Sequence, residues 1–147
     1  MVTLEFDLTL NGKPVISLTE YTIQSIDFIT TKTHDHFEQT RDIAMRLRFQ
    51  NADVALRSSP SKASDGENET ESVPKPDELD SVRNLLVYAV SPYDYQLAYL
   101  DGEVSIYNEL GQIASMSYKD LFVLSCSEEY LGTRETYIDI LMREKVR

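Results

Sequence analysis

The sequence predicts a mainly β protein: an antiparallel two-sheet β-barrel of about eight strands with one flanking α-helix. Three observations carry this. Apolar residues alternate with polar ones on both sides of an acidic central stretch, a single segment has helical periodicity, and short turn signals separate the runs. At 147 residues the chain is most simply one domain, 1–147. A chain of that length buries about 70% of its unfolded surface, enough for a core without disulfide or metal.

The elements follow in order. Leu4, Phe6, Leu8 and Leu10 alternate with polar neighbours up to Asn11-Gly12, a strong two-residue turn signal. In the next run Tyr21, Ile23, Ser25 and Asp27 oppose Thr22, Gln24, Ile26 and Phe28, and the apolar side switches near Ser25. Then Ile43, Met45, Leu47 and Phe49 share one face, with Ala44, Arg46, Arg48 and Gln50 on the other. The apolar set resumes with opposite parity at Ala52, Val54 and Leu56, so a bulge or bend is expected around Gln50-Asn51. A strand that bends midway suits a small closed barrel.

Residues 58–76, "SSPSKASDGENETESVPKP", contain only Ala63 and Val73 as apolar residues. Burial cannot offset the entropy of ordering them, and the stretch is expected to be a flexible acidic insert. Its Asp65, Glu67, Glu69 and Glu71 do not have the glycine placement of a calcium-binding EF-hand loop.

In "PDELDSVRNLLVYAVSP", Leu79, Val82, Leu86, Ala89 and Val90 fall near one helical face; Asp77 or Asp80 caps the start and Pro92 stops the helix. "YQLAYLDGEVSIY" is expected to be a hairpin turning at Asp101-Gly102, with Leu100 opposite Glu103. "NELGQ" predicts another turn before Ile113–Tyr118. "LFVLSCS" (121–127) is a further apolar run of buried-strand length. After a turn at Gly132, "TYIDILM" sets Ile138, Ile140 and Met142 against Tyr137, Asp139 and Leu141.

Composition narrows the function classes. Asp and Glu number 25 against 14 Lys and Arg, a formal charge of −11. Phosphate binding draws on clustered cations that release counterions, so specific nucleic-acid binding and attraction to anionic membranes are both disfavoured. The local basic concentration is Arg41, Arg46 and Arg48. No run approaches the ~20 apolar residues of a membrane helix, and no insertion into a membrane is expected. Cys126 is the only cysteine, which excludes an internal disulfide and fits a reducing compartment. The first residues lack a basic start followed by an apolar run, so synthesis and assembly in the cytoplasm are expected.

The chemistry-bearing residues are few. Both histidines lie in "TKTHDHFEQTRD", residues 31–42. On an extended segment His34 and His36 point the same way and would suit one metal. Zinc needs at least three protein ligands, however, and only carboxylates such as Glu38 or Asp42 are near in sequence. Neither histidine has an identifiable nucleophile to activate. The glycines form no phosphate-cradling motif. No catalytic, cofactor or metal residues are assigned. The tyrosines Tyr88, Tyr93, Tyr95, Tyr99 and Tyr107 suit sheet edges or a subunit interface better than a ligand cleft.

The order of elements carries one resemblance. A long bent strand, one amphipathic helix, "DGEVSIY", "SMSYKDLFVLSCSEEY" and a closing "RETYIDILMREKV" resemble the haemolysin-coregulated proteins (Hcp), the inner-tube subunits of type VI secretion systems, and the related tail-tube proteins of contractile phage tails and extracellular injection systems. The likeness covers roughly residues 77–147 by motif and residues 2–57 by strand order; the 58–76 insert departs from the family's compact pattern. It implies hexameric rings stacked head to tail into a conduit for effectors, exported on contraction, with sheath, baseplate or spike proteins as partners and no enzymatic activity. It also implies an inter-ring contact loop, here Thr33, His34, Asp35, His36, Phe37, Glu38 and Gln39, with Phe37 as an apolar anchor. The alternative is a β-barrel adaptor or baseplate binding module that forms no tube.

Overall fold

The computed structural model describes residues 2–32, 39–50, 76–95 and 98–145. The expected acidic insert (apart from Pro76) and the expected bend at Gln50-Asn51 (apart from Gln50 itself) lie outside them. Seven strands and one helix appear in the order β1 (Thr3–Leu10), β2 (Lys13–Thr19), β3 (Ile23–Lys32), β4 (Gln39–Gln50), α1 (Glu78–Val90), β5 (Leu100–Asn108), β6 (Gly111–Leu131) and β7 (Glu135–Glu144). The strands form one antiparallel sheet in the order β2-β1-β5-β6-β7-β4-β3.

Local chemistry explains most of the elements. Asn11 and Gly12 both take positive φ (54° and 82°), the mirror-image turn whose twist matches a hairpin, and they join Leu10 to Lys13. The predicted change of face in β3 is a register shift between Ile23 and Ser25 against β4, after which Ile26 and Phe28 pack on the core. Period two places Ile43, Met45 and Leu47 of β4 and Ile138, Ile140 and Met142 of β7 inside, all nearly inaccessible. With Phe6, Leu8, Ile16, Leu18, Val104 and Leu121 they make one core.

β6 departs from the expected pair of short strands. It runs unbroken for 21 residues. Residues Gly111–Leu121 pair with β5 and Leu121–Leu131 pair with β7, so one strand belongs to both wings of the sheet. The join is at Asp120, whose φ of 55° turns the backbone. Its N–H bonds Asp101 Oδ1 (3.1 Å) and its carbonyl accepts Lys145 N–H (3.0 Å).

The expected hairpin at Asp101-Gly102 does not form. Both residues lie within β5, opposite Thr9 and Leu8 of β1. Upstream, Tyr95 N–H bonds Pro92 O and Ala98 N–H bonds Tyr95 O, successive turns rather than a strand. Gly102 serves close packing instead: a Cβ there would lie 2.7 Å from Leu121 Cδ1 and 3.1 Å from Leu8 Cδ2. The eight-strand expectation becomes seven among the described residues: two expected strands are one, no hairpin arm is described before β5, and β2, not among the runs read from the sequence, is added.

The helix matches its expected span, capped by Asp77, which accepts from Asp80 N–H at 2.8 Å. Its buried face is Ser81, Val82, Leu85 and Tyr88. Val90, expected on that face, is 79% exposed. The rotation has a cause: the helix lies along β2, and a serine there reaches that strand's backbone.

Candidate functional site

The two outer strands of the sheet, β2 and β3, are its natural surfaces for joining other chains, because an edge strand leaves one row of backbone groups without a strand partner. They are treated very differently. At β2 the helix supplies the partners. Ser17 N–H donates to Ser81 Oγ (2.8 Å), and Asn84 Nδ2 donates to Val15 O (2.7 Å). Glu78 gathers the far end: Oε1 accepts from Thr19 N–H (2.7 Å) and Thr19 Oγ1 (2.6 Å), and Oε2 accepts from the Thr22 hydroxyl. Leu85 and Tyr88 then seal the helix to the core, and Tyr88 OH donates to Leu121 O (2.6 Å). Burial pushes the Tyr88 phenol well above the usual tyrosine range.

At β3 nothing comparable is found among the described residues. Nine of its ten residues pair with β4 on one side, Gln24 being passed over at the bulge, and among the described residues no helix or strand flanks the other. Ser25, Asp27, Ile29, Thr30, Thr31 and Lys32 are exposed, and Ile29 shows 42% of its surface. The strand contains no proline and three isoleucines.

The expected contact loop emerges from this open edge. Of its residues, Gln39 is the first of β4 and pairs with Lys32. Thr33, His34, Asp35, His36, Phe37 and Glu38 lie outside the described residues. The strands reach further than expected, since Thr31, Lys32 and Gln39–Asp42 are all in the ladder. A polar cluster braces this root. Asp42, almost fully buried, takes a two-point grip from Arg143 (Nε 2.8 Å, Nη2 2.9 Å); these bonds hold the guanidinium pKa above its ordinary value. Arg41 stacks 4.3 Å over the Tyr118 ring, donates to Ser117 O (2.9 Å) and pairs with Glu144 (3.3 Å). Glu144 in turn accepts Lys119 N–H (2.8 Å). Burial raises the Tyr118 phenol, partly opposed by Arg41. Sequence reasoning missed this cluster, because its members come from β4, β6 and β7.

The other arginines of the basic concentration are paired too. Arg46 bonds Asp139 and Glu129 and lies over Tyr137, and Arg48 bonds Glu135. They make cross-strand ties rather than an anion-binding patch. Among the described residues no three His, Cys, Asp or Glu side chains come together as metal ligands, and no helix is long and apolar enough to cross a membrane. Cys126, in the run expected to be a buried strand, is half-buried against the core in the wall of an open hollow of about 420 Å³ with Leu86, Val90 and Tyr93. Burial raises its thiol pKa, so little of it is the reactive thiolate at neutral pH. Tyr93 and Tyr99 pack on Phe122, and Tyr93 OH donates to Val123 O (2.9 Å). No protein-family model and no curated protein matches the chain.

Proposed function

We propose that the chain is a structural subunit of the inner tube of a contractile injection apparatus, type VI secretion-like or phage-tail-like, and that it forms hexameric rings stacked head to tail into a conduit for effectors. The observation that carries this reading is the unequal treatment of the two sheet edges. A ring closes through heterologous contacts, in which one surface of a subunit meets a different surface of its neighbour. Among the described residues β3 is open and β2 is helix-covered, which gives the chain two unlike flanks, and the cover on β2 keeps the sheet from extending at both edges.

The sharing of β6 between two wings supports the finer architecture, a two-sheet, barrel-like curl with the helix on one flank. Residues Thr33–Gln39 are assigned to the inter-ring contact, because the root from which they leave is held by buried and bidentate ion pairs. Sheath, baseplate or spike proteins would meet the outer and terminal faces, and protein effectors the interior. Assembly is placed in the cytoplasm, with export on contraction. No catalytic role is proposed.

Negative-stain microscopy of the purified protein tests the reading. Six-fold rings or stacked tubes are expected. Uniformly compact particles at high concentration would reject it in favour of an adaptor or baseplate module. Replacing residues 33–38 by Gly and Ser should leave a folded subunit that forms rings but does not stack.

A further inference from the structure

Leu110 is 95% exposed, more than any other large apolar side chain described. It occupies the apex of the turn between β5 and β6, where Asn108 pairs with Gly111 and Asn108 Oδ1 accepts Leu110 N–H at 2.8 Å. Such turns favour Asn, Asp and Gly. A leucine there adds nothing to the core, yet its backbone is pinned on both sides. Ile113 (56% exposed) stands beside it on β6.

The opposite end of the same strands is hollow. An apolar recess of about 200 Å³ lies between the C-terminal part of α1 and the β1–β2 turn, walled by Leu10, Val15, Val87, Tyr88 and Leu100. Val87, 60% exposed, forms part of its rim. A water takes about 30 Å³ of liquid volume, so the recess has room for a four-carbon side chain. β5 begins at Leu100 in the recess and ends beside the Leu110 turn. At about 3.4 Å per residue the two features are about 30 Å apart. A chain therefore cannot fill its own recess with its own Leu110.

We propose that Leu110 of one copy seats in the Leu10–Val15–Val87 recess of the next, making a head-to-tail apolar contact between copies of this chain. The knob and the recess are different surfaces at opposite ends, so the contact is heterologous and can repeat from copy to copy. In a chain of charge −11 the recess is lined by no charged side chain, so Glu109, which neighbours the knob, meets no like charge within it. The contact deepens the tube reading and rests on it only for being called axial.

Mixed cross-linking tests it. In a Cys126→Ser background, Leu110→Cys protein is mixed with Val87→Cys protein and oxidised with diamide. A disulfide between the two variants is expected, well in excess of that formed by either alone. Leu110→Asp should weaken end-to-end association about 10- to 100-fold, the loss expected for one buried leucine, and Leu110→Met should restore it. Absence of the mixed disulfide, or stacking unchanged in Leu110→Asp, overturns the contact. Mixed disulfides without six-fold rings would keep the contact and reject the tube. Rings whose stacking ignores Leu110 would do the reverse.

Discussion

β2 and β3 are both outermost strands of one sheet, yet β2 is covered by side chains from a helix and β3 has no such cover among the described residues. The difference lies in what each edge is kept for. Covering β2 takes Ser81, Glu78 and Asn84 on one helix face, each aimed at a backbone or hydroxyl group of the strand. That arrangement secures the fold and prevents strand addition. β3 carries β-branched residues and no proline, and its devices against pairing are few: Asp27, Lys32 and the bulge between Ile23 and Ser25.

The largest expected effect comes from breaking the cover. Leu85 is fully buried beneath α1, and Leu85→Ala should cost about 2–5 kcal/mol in urea unfolding. Partial release of the helix should also expose β2, seen as faster thioflavin-positive aggregation. A Glu78→Ala change removes the acceptor shared by Thr19 and Thr22 and should cost about 2 kcal/mol, since bonds to a charged group contribute about 1.5–3 kcal/mol each and neighbouring water makes up part of the loss. Equal aggregation of both variants and the parent would mean that the helix does not guard that edge.

Tyr88→Phe should cost about 1 kcal/mol through the lost bond to Leu121 O, and it should change the response to alkali. Burial favours the neutral phenol, so the folded chain keeps that proton to higher pH than the unfolded chain. The stabilisation is complete below about pH 10 and fades as the pH rises beyond it. The Phe variant should lose less stability than the parent between neutral pH and pH 11, as measured by denaturant midpoints. At the other edge, Ile29→Lys should alter stability by less than about 0.5 kcal/mol while reducing self-association in sedimentation. An association constant unchanged by that lysine would show that β3 is not the joining edge.

The sequence revealed those parts of the fold that local chemistry determines. Asn11-Gly12 announced its hairpin, and the parity change at Ser25 announced its bulge, because each depends on a few adjacent residues. Asp101-Gly102 carried the same turn signal and misled. What decides that glycine's role is the approach of Leu8 and Leu121, residues 94 positions before it and 19 after it. The helix was legible in span and partly in facing: Val82, Leu86 and Ala89 do pack inward, whereas Ser81 is polar by type and is buried where it meets Ser17. Arg41 and Arg143 carried no site signal, because a brace assembled from three strands leaves no spacing to recognise. Leu110 was readable in principle: a large apolar residue at a turn apex is out of place in a structure that needs only folding.

β6 has a mechanical consequence. The backbone that pairs with β5 continues without interruption into the backbone that pairs with β7. A tensile load applied across the molecule therefore passes along covalent bonds through Asp120 instead of peeling one ladder rung by rung. Neighbouring strands can slip only if many rungs shear together, which makes the chain stiff along that line.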